Sequence, residues 1–107
     1  MSQPDTTASP IRIRVHRHLR AIFPTYLTIQ NDHLDALDRA LAAGDLPAIH
    51  RLGHTIRGGA GTYELPLAAA LGGRLEAAAE AGDMAEAAAL VASLRDFFAR
   101  LDVTFTG

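Results

Sequence analysis

Residues Leu52–Leu65 read LGHTIRGGAGTYEL, and the fold turns on how that stretch is taken. It continues a helical apolar pattern, yet it holds Gly53, Gly58, Gly59 and Gly61. A glycine inside a helix costs about 1 kcal/mol relative to alanine, so a helix that accepts several has a use for small residues there. At helical spacing His54, Gly58 and Gly61 (i, i+4, i+7) share one side, and Arg57 flanks them. The expected result is an imidazole in a shallow, bare patch with a guanidinium beside it. Another macromolecule can approach such a histidine, and an anion attached to it meets a positive charge.

Composition narrows what the rest of the chain can be. At 107 residues it has the size of one domain with a modest core. Apolar residues make up 49% and aromatics only 6%, without β-branched enrichment, which points to an all-α protein. Cysteine is absent, which excludes disulfides and thiol chemistry. The N-terminus, MSQPDTTASP, has neither an apolar run nor a basic leader, so no signal peptide is expected. No window approaches about 18 uninterrupted apolar residues, so no membrane span is expected. A net charge of −2 argues against a general nucleic-acid binder. The length leaves no room for an ATP-binding catalytic domain beside a bundle. Together these features predict a cytoplasmic protein; the oligomeric state is open, a bundle of this length being able to stand as a monomer, and the lack of lysine amid abundant alanine and arginine suggests a GC-rich bacterial genome.

Residues 1–10 are polar with two prolines and read as a disordered tail, leaving residues 11–107 as the domain. Ile11–Phe23 is ambiguous: Ile11, Val15, Leu19 and Ile22 fit a helical stripe, while IRIRV alternates like a strand. Without an evident partner strand, helix is the expectation. Arg12, Arg14, Arg17 and Arg20, with His16 and His18, make this element basic; a solvated face explains it more simply than a docking surface. Pro24 suits the first turn of a new helix, which runs through Ala43 with a stripe at Phe23, Leu27, Leu34, Leu37 and Leu41.

Gly44-Asp45 reads as a C-cap followed by an N-cap, and the device recurs at Gly82-Asp83, where Asp83 and Glu86 have capping-box spacing. The next helix, about Leu46–Thr62, should face the core with Ile49, Leu52, Gly53, Ile56 and Ala60. His54 lies about 140° from Ile49 on the wheel and is expected to be accessible. A further helix, about Pro66–Ala81, should turn Leu67, Leu71, Leu75 and Ala78 inward, and Gly72-Gly73 in its middle suggests close approach to a neighbour. The last helical stripe is Met84, Ala87, Val91, Leu94, Phe98, Leu101 and Phe105. The expected fold is all-α, an antiparallel up-down four-helix bundle with an additional N-terminal helix.

HTIRGGAG, preceded by LAAGDLPAIHRLG and followed by LEAAAEAGD, resembles the histidine phosphotransfer (HPt) domain of bacterial phosphorelays over about residues 23–104. That family's pattern is a histidine, a cation three residues on, a glycine next and a small residue at the seventh place. Those positions are His54, Arg57, Gly58 and Gly61 here, with arginine where lysine is commoner. In several members a glutamine or glutamate twenty-two residues after the histidine bonds the imidazole, a place held by Glu76. The resemblance implies that His54 accepts a phosphoryl group from a receiver-domain aspartate and passes it to another receiver. Physically, a neutral imidazole needs one nitrogen held as a donor and the other left as nucleophile. Glu76 can hold Nδ1–H, Arg57 can steady phosphoryl charge, and Gly58 and Gly61 can clear space for a partner. No cofactor is expected, and any magnesium belongs to the receiver.

Other readings compete with this one. His50 and His54 are four apart, as are Glu76 and Glu80, a spacing open to metal binding. The bundle di-iron signature is missing, however, and a metal explains neither the glycines nor Arg57. A helical adaptor, or a degenerate phosphotransfer domain that binds receivers without transfer, accounts for the glycines through packing alone. His16, His18 and His33 are expected in solvent, as are Asp32, Asp35 and Asp38. Tyr63 is expected to anchor the turn after the glycine segment.

Overall fold

The structure, a computed structural model, describes residues 9–107. In order these form β1 (Ile11–His16), a 3-10 turn at Arg17–Leu19, α1 (Phe23–Ala43), α2 (Leu46–Thr62), α3 (Pro66–Glu80), α4 (Met84–Ala99) and β2 (Leu101–Thr106). The tail expected over residues 1–10 falls outside the described residues except for Ser9 and Pro10. Both are exposed, and the Ser9 carbonyl accepts a hydrogen bond from Arg100 Nη1 at 3.0 Å.

The four helices form the expected bundle. α1 packs on α2 and α4, and α3 packs between α2 and α4, so the ring closes. Connections of two or three residues make consecutive helices antiparallel. Gly44 and Gly82 adopt φ of 67° and 70°, where a side chain would be strained. After each glycine an aspartate N–H reaches back to the preceding helix, Asp45 to Ala40 O and Asp83 to Ala78 O, both at 2.9 Å. Each aspartate then caps the next helix, accepting from Ala48 N at 3.1 Å and from Glu86 N at 3.0 Å. The capping box at Asp83 is half formed, because the Glu86 carboxylate turns instead to Arg74 Nη2 at 3.2 Å.

The third connection uses the same backbone path without a glycine. Leu65 N bonds Ala60 O at 2.8 Å, and Glu64 occupies the left-handed position at φ 62°. That conformation costs a non-glycine residue about 1–2 kcal/mol. It also delivers the Glu64 carboxylate to the backbone N–H of His16 at 3.3 Å, tying this turn to β1.

Two sequence expectations give way at the ends of the chain. The N-terminal element is a strand, not a helix, and the last helix stops at Ala99, not near Phe105. β1 and β2 pair in parallel, Ile11 opposite Leu101 through His16 opposite Thr106. The partner strand had been hidden because Leu101 and Phe105 also fit a helical spacing. LDVTFT in fact alternates, and the pair turns Ile11, Ile13, Val15, Leu101, Val103 and Phe105 toward the core. A lone pair of strands is marginal in water. This one is held by its apolar face, where Phe105 meets Phe23 edge-on with centroids 5.6 Å apart.

The core otherwise follows the stripes, with Leu34, Leu37, Ile49, Ile56, Leu75 and Leu94 almost wholly enclosed. Leu67 departs from expectation: it is 50% exposed, because the inward face of α3 begins one residue later, at Ala68. Tyr63 anchors its turn by stacking on Tyr26, with centroids 4.0 Å apart. Asp35 and Asp38 are exposed as expected but share Arg95 of α4, whose Nη2 lies 2.9 Å from Asp35 Oδ1. Such exposed pairs contribute little stability.

The tightest contact joins α2 to α3. A Cβ on Gly53 would lie 3.0 Å from Glu76 N and Gly72 O, and one on Gly72 would lie 2.8 Å from Arg57 N and 2.9 Å from Gly53 O. Those neighbours are backbone and cannot move aside cheaply. Gly72→Ala gains about 1 kcal/mol of helix propensity but incurs overpacking of about 1–3 kcal/mol. A net loss of up to about 2 kcal/mol is expected, read as a lower urea midpoint at unchanged slope.

His33 is half-buried rather than solvated, and its Nδ1 is enclosed without a partner among the described residues. Burial pulls its imidazole below the ordinary range, partly opposed by Asp32. The folded state therefore binds fewer protons than the unfolded chain, and stability falls as pH drops below about 6.5. His33→Gln should shrink the stability lost between about pH 7.5 and about pH 5.5 in urea titrations, relative to wild type.

Candidate functional site

The close approach of α2 and α3 brings two helical faces together, His50, His54 and Arg57 from one and Gly73, Glu76 and Glu80 from the other. Gly73 leaves room for the Arg57 stem, whose Cδ would lie 3.4 Å from a Cβ there. His54 is exposed, with 65% of its side chain accessible, whereas Glu76 beneath it retains only 13%. Glu76 Oε2 lies 3.0 Å from His54 Nδ1, and Glu76 Oε1 lies 3.2 Å from Arg57 Nη1. Arg57 Nη2 also comes within 3.2 Å of His54 Nδ1. No hydrogen bond from His54 Nε2 to another described residue is formed.

Electrostatics decide between the two tautomers this geometry admits. A bare Nδ1 would accept from Arg57 Nη2 at 3.2 Å, but its lone pair would then face the charged Glu76 oxygen at the shorter distance of 3.0 Å, which is repulsive. With the proton on Nδ1 it donates to the carboxylate, and the Arg57 guanidinium stays neutralised by the other oxygen. The second arrangement satisfies more charge, so Nε2 is the nitrogen with the open lone pair. Arg57 sits on the Nδ1 edge of the ring, held there by Glu76.

Around the ring the surface is bare. A Cβ built on Gly58 or on Gly61 would meet nothing within 4 Å. Gly59, on the other side of α2, instead faces Tyr26 of α1 at 3.7 Å. The glycines of this helix thus divide by use, Gly53 and Gly59 facing neighbouring helices and Gly58 and Gly61 facing solvent.

A family model described as Hpt domain matches residues 23–104. The chain belongs to the Hpt family. Comparisons with curated proteins and with solved structures return no match. Hpt domains work in phosphotransfer in two-component relays and interact with receiver domains. The matched span runs from the first residue of α1 into β2 and leaves out β1.

Within this Hpt domain the five residues singled out from sequence, His54, Arg57, Gly58, Gly61 and Glu76, fall at one place on the surface. Sequence reading sets His50 beside Glu76 and Glu80 only as a competing metal site, and otherwise takes it as a surface or boundary residue. Its Nε2 lies 2.8 Å from Glu80 Oε2 and 3.8 Å from Glu76 Oε2, so it joins the same chain of polar groups. The signal was present as two i, i+4 pairs, His50/His54 and Glu76/Glu80, but spacing alone does not say that they face each other. Among the described residues no group of three or more histidine and carboxylate side chains is arranged to hold a metal, and Arg57 already neutralises Glu76. No helix among the described residues is long and apolar enough to cross a membrane.

Because the Cβ of Gly58 would stand in open space, Gly58→Ala should have the opposite sign to Gly72→Ala. A gain of up to about 1 kcal/mol from helix propensity is expected in the same urea measurement. A loss would mean that the patch is packed against something.

Proposed function

We propose that this protein is a phosphorelay intermediate. His54 accepts a phosphoryl group from the phospho-aspartate of one receiver domain and donates it to the aspartate of another. The observation that carries the reading is the accessible His54 ring, its Nδ1 bonded to a largely covered Glu76 and its Nε2 open, beside two glycines whose missing side chains expose backbone.

In the accepting step the Nε2 lone pair attacks phosphorus in line with the departing aspartate oxygen. The N–P bond forms as the P–O bond breaks, and the aspartate leaves as a carboxylate. The ring becomes positively charged as it bonds phosphorus, and the Nδ1–H···Glu76 hydrogen bond stabilises that charge. Arg57, half exposed on a flexible stem, pairs with Glu76 in the resting protein and is within reach of phosphoryl oxygens by side-chain rotation. Any magnesium in the step belongs to the receiver. Donation to the second receiver is the same step reversed, so the protein has no need of its own ATP-dependent kinase activity. Gly58 and Gly61, kept despite their cost in helix stability, give the receiver's acidic pocket clearance to reach Nε2. The protein works as a cytoplasmic monomer in a bacterial relay on this reading.

The test is incubation with a panel of phosphorylated receiver domains, scoring acid-labile, alkali-stable phosphate. Label is expected on wild type and none on His54→Gln, with identical helical circular dichroism. Receiver binding without label would make this a receiver-binding domain that does not transfer. Neither binding nor label would assign the bundle to an adaptor role.

A further inference from the structure

Glu76 is an unusual orienting group because one oxygen does most of the work. Its Oε1 is enclosed, and the 3.2 Å contact with Arg57 Nη1 lacks hydrogen-bond geometry, leaving that oxygen without a directed partner among the described residues. Carboxylate torsions are broad and roughly two-fold, so a group held through one oxygen turns easily. What Oε2 faces therefore decides where the carboxylate points. It faces His54 Nδ1 at 3.0 Å and, on its other side, His50 Nε2 at 3.8 Å.

His50 is itself fixed, its Nε2 bonded to Glu80 Oε2 at 2.8 Å. Glu76 and Glu80 are one turn apart on α3, where two like charges repel. The His50 ring donates through Nε2–H to Glu80 Oε2 at 2.8 Å and, 3.8 Å from Glu76 Oε2, acts on that oxygen through space as the positive end of a dipole without a hydrogen bond. Without that ring the strongest partner left to Glu76 is Arg57, and two-pronged pairing with the guanidinium would draw Oε2 away from Nδ1. His54 would then lose the contact that selects its tautomer.

We propose that His50, anchored by Glu80, is a positioning residue for His54. It keeps the Glu76 carboxylate turned toward Nδ1 and thereby leaves Nε2 as the reacting nitrogen. The kinetic consequence rests on the phosphotransfer reading; the effect on the His54 tautomer does not.

The experiment pairs His50→Phe, which keeps a ring but removes the donor, with His50→Gln, which keeps a donor. His50 is 40% exposed, so both should be tolerated, with circular dichroism and urea midpoint as checks. The first readout is the ¹⁵N shifts of the His54 ring in the unphosphorylated full chain. Wild type and His50→Gln should show one tautomer protonated at Nδ1, and His50→Phe should show shifts averaged between the two. The second readout is the initial rate of phosphoryl acceptance from a receiver. It should fall about three- to tenfold in His50→Phe at unchanged receiver affinity, and largely recover in His50→Gln. That loss is smaller than the roughly 10–100-fold typical when the hydrogen-bond partner of a metal-ligating histidine is removed, since His50 acts one contact further out. An unchanged His54 spectrum in His50→Phe overturns the proposal, whatever the rate does. A wild type that accepts no phosphate removes the phosphorelay reading, while the spectra still decide the role of His50.

Discussion

The contact on which the site depends is the one between Gly53 and Gly72. With side chains at these positions the two backbones could not approach as they do, since the added carbons would lie 2.8–3.0 Å from backbone atoms of the opposite helix. A wider separation would take Glu76 out of reach of His54. N–H···O hydrogen bonds span about 2.7–3.2 Å, and the present contact is already 3.0 Å. The glycine pair is therefore a packing feature and a condition for the chemistry at once. It also places Arg57 N against Gly72, which aligns the Arg57 stem over Gly73 and its guanidinium with Glu76.

From that approach follows a row across the α2–α3 surface in which carboxylates alternate with imidazoles and end on a guanidinium: Glu80, His50, Glu76, then His54 and Arg57. Its members differ in exposure, and this matters more than their number. Glu76 is nearly enclosed while His54 is open, so the carboxylate acts at short range in a poorly screened setting and the imidazole remains available to a partner. Ion pairs such as Arg95 with Asp35 and Asp38 lie in solvent and carry no comparable leverage. The same contrast runs through α1, where Tyr26, Gln30 and His33 present polar atoms to the interior without partners among the described residues. Burial, with a smaller contribution from Tyr63, pushes the Tyr26 phenol above its ordinary range.

The strand pair closes the end of the bundle where α1 begins and α4 ends. It joins residues about ninety positions apart, so its closure entropy is met only once the helices have brought both termini together. Glu64 adds a second tie, from the strained turn after α2 to the backbone of β1. The basic residues Arg12 and Arg14 occupy the outer face of β1, opposite Asp102 and Thr104 of β2. They are the solvated side of an amphipathic strand, and their alternation with Ile11, Ile13 and Val15 is what makes the strand.

By itself the sequence determined what depends on local period and local chemistry. The four bundle helices, the Gly44-Asp45 and Gly82-Asp83 turns, the inward stripes and the His54–Gly58–Gly61 face all follow from residues within a few turns of one another. Even Glu76 was legible, through family resemblance and its distance along the chain. Pairings between remote segments were decided only in the tertiary structure. IRIRVH could be a strand only if LDVTFT lay beside it, and each segment alone also fits a helical spacing. His33 looked like a surface residue until α1 packed its face inward, and Leu67 looked buried until the register of α3 turned it out. His50 became part of the site only when Glu76 and Glu80 faced it across the Gly53–Gly72 contact. Periodicity says which side of an element is apolar; which two sides meet, and how closely, is set by side-chain volume at the crossing.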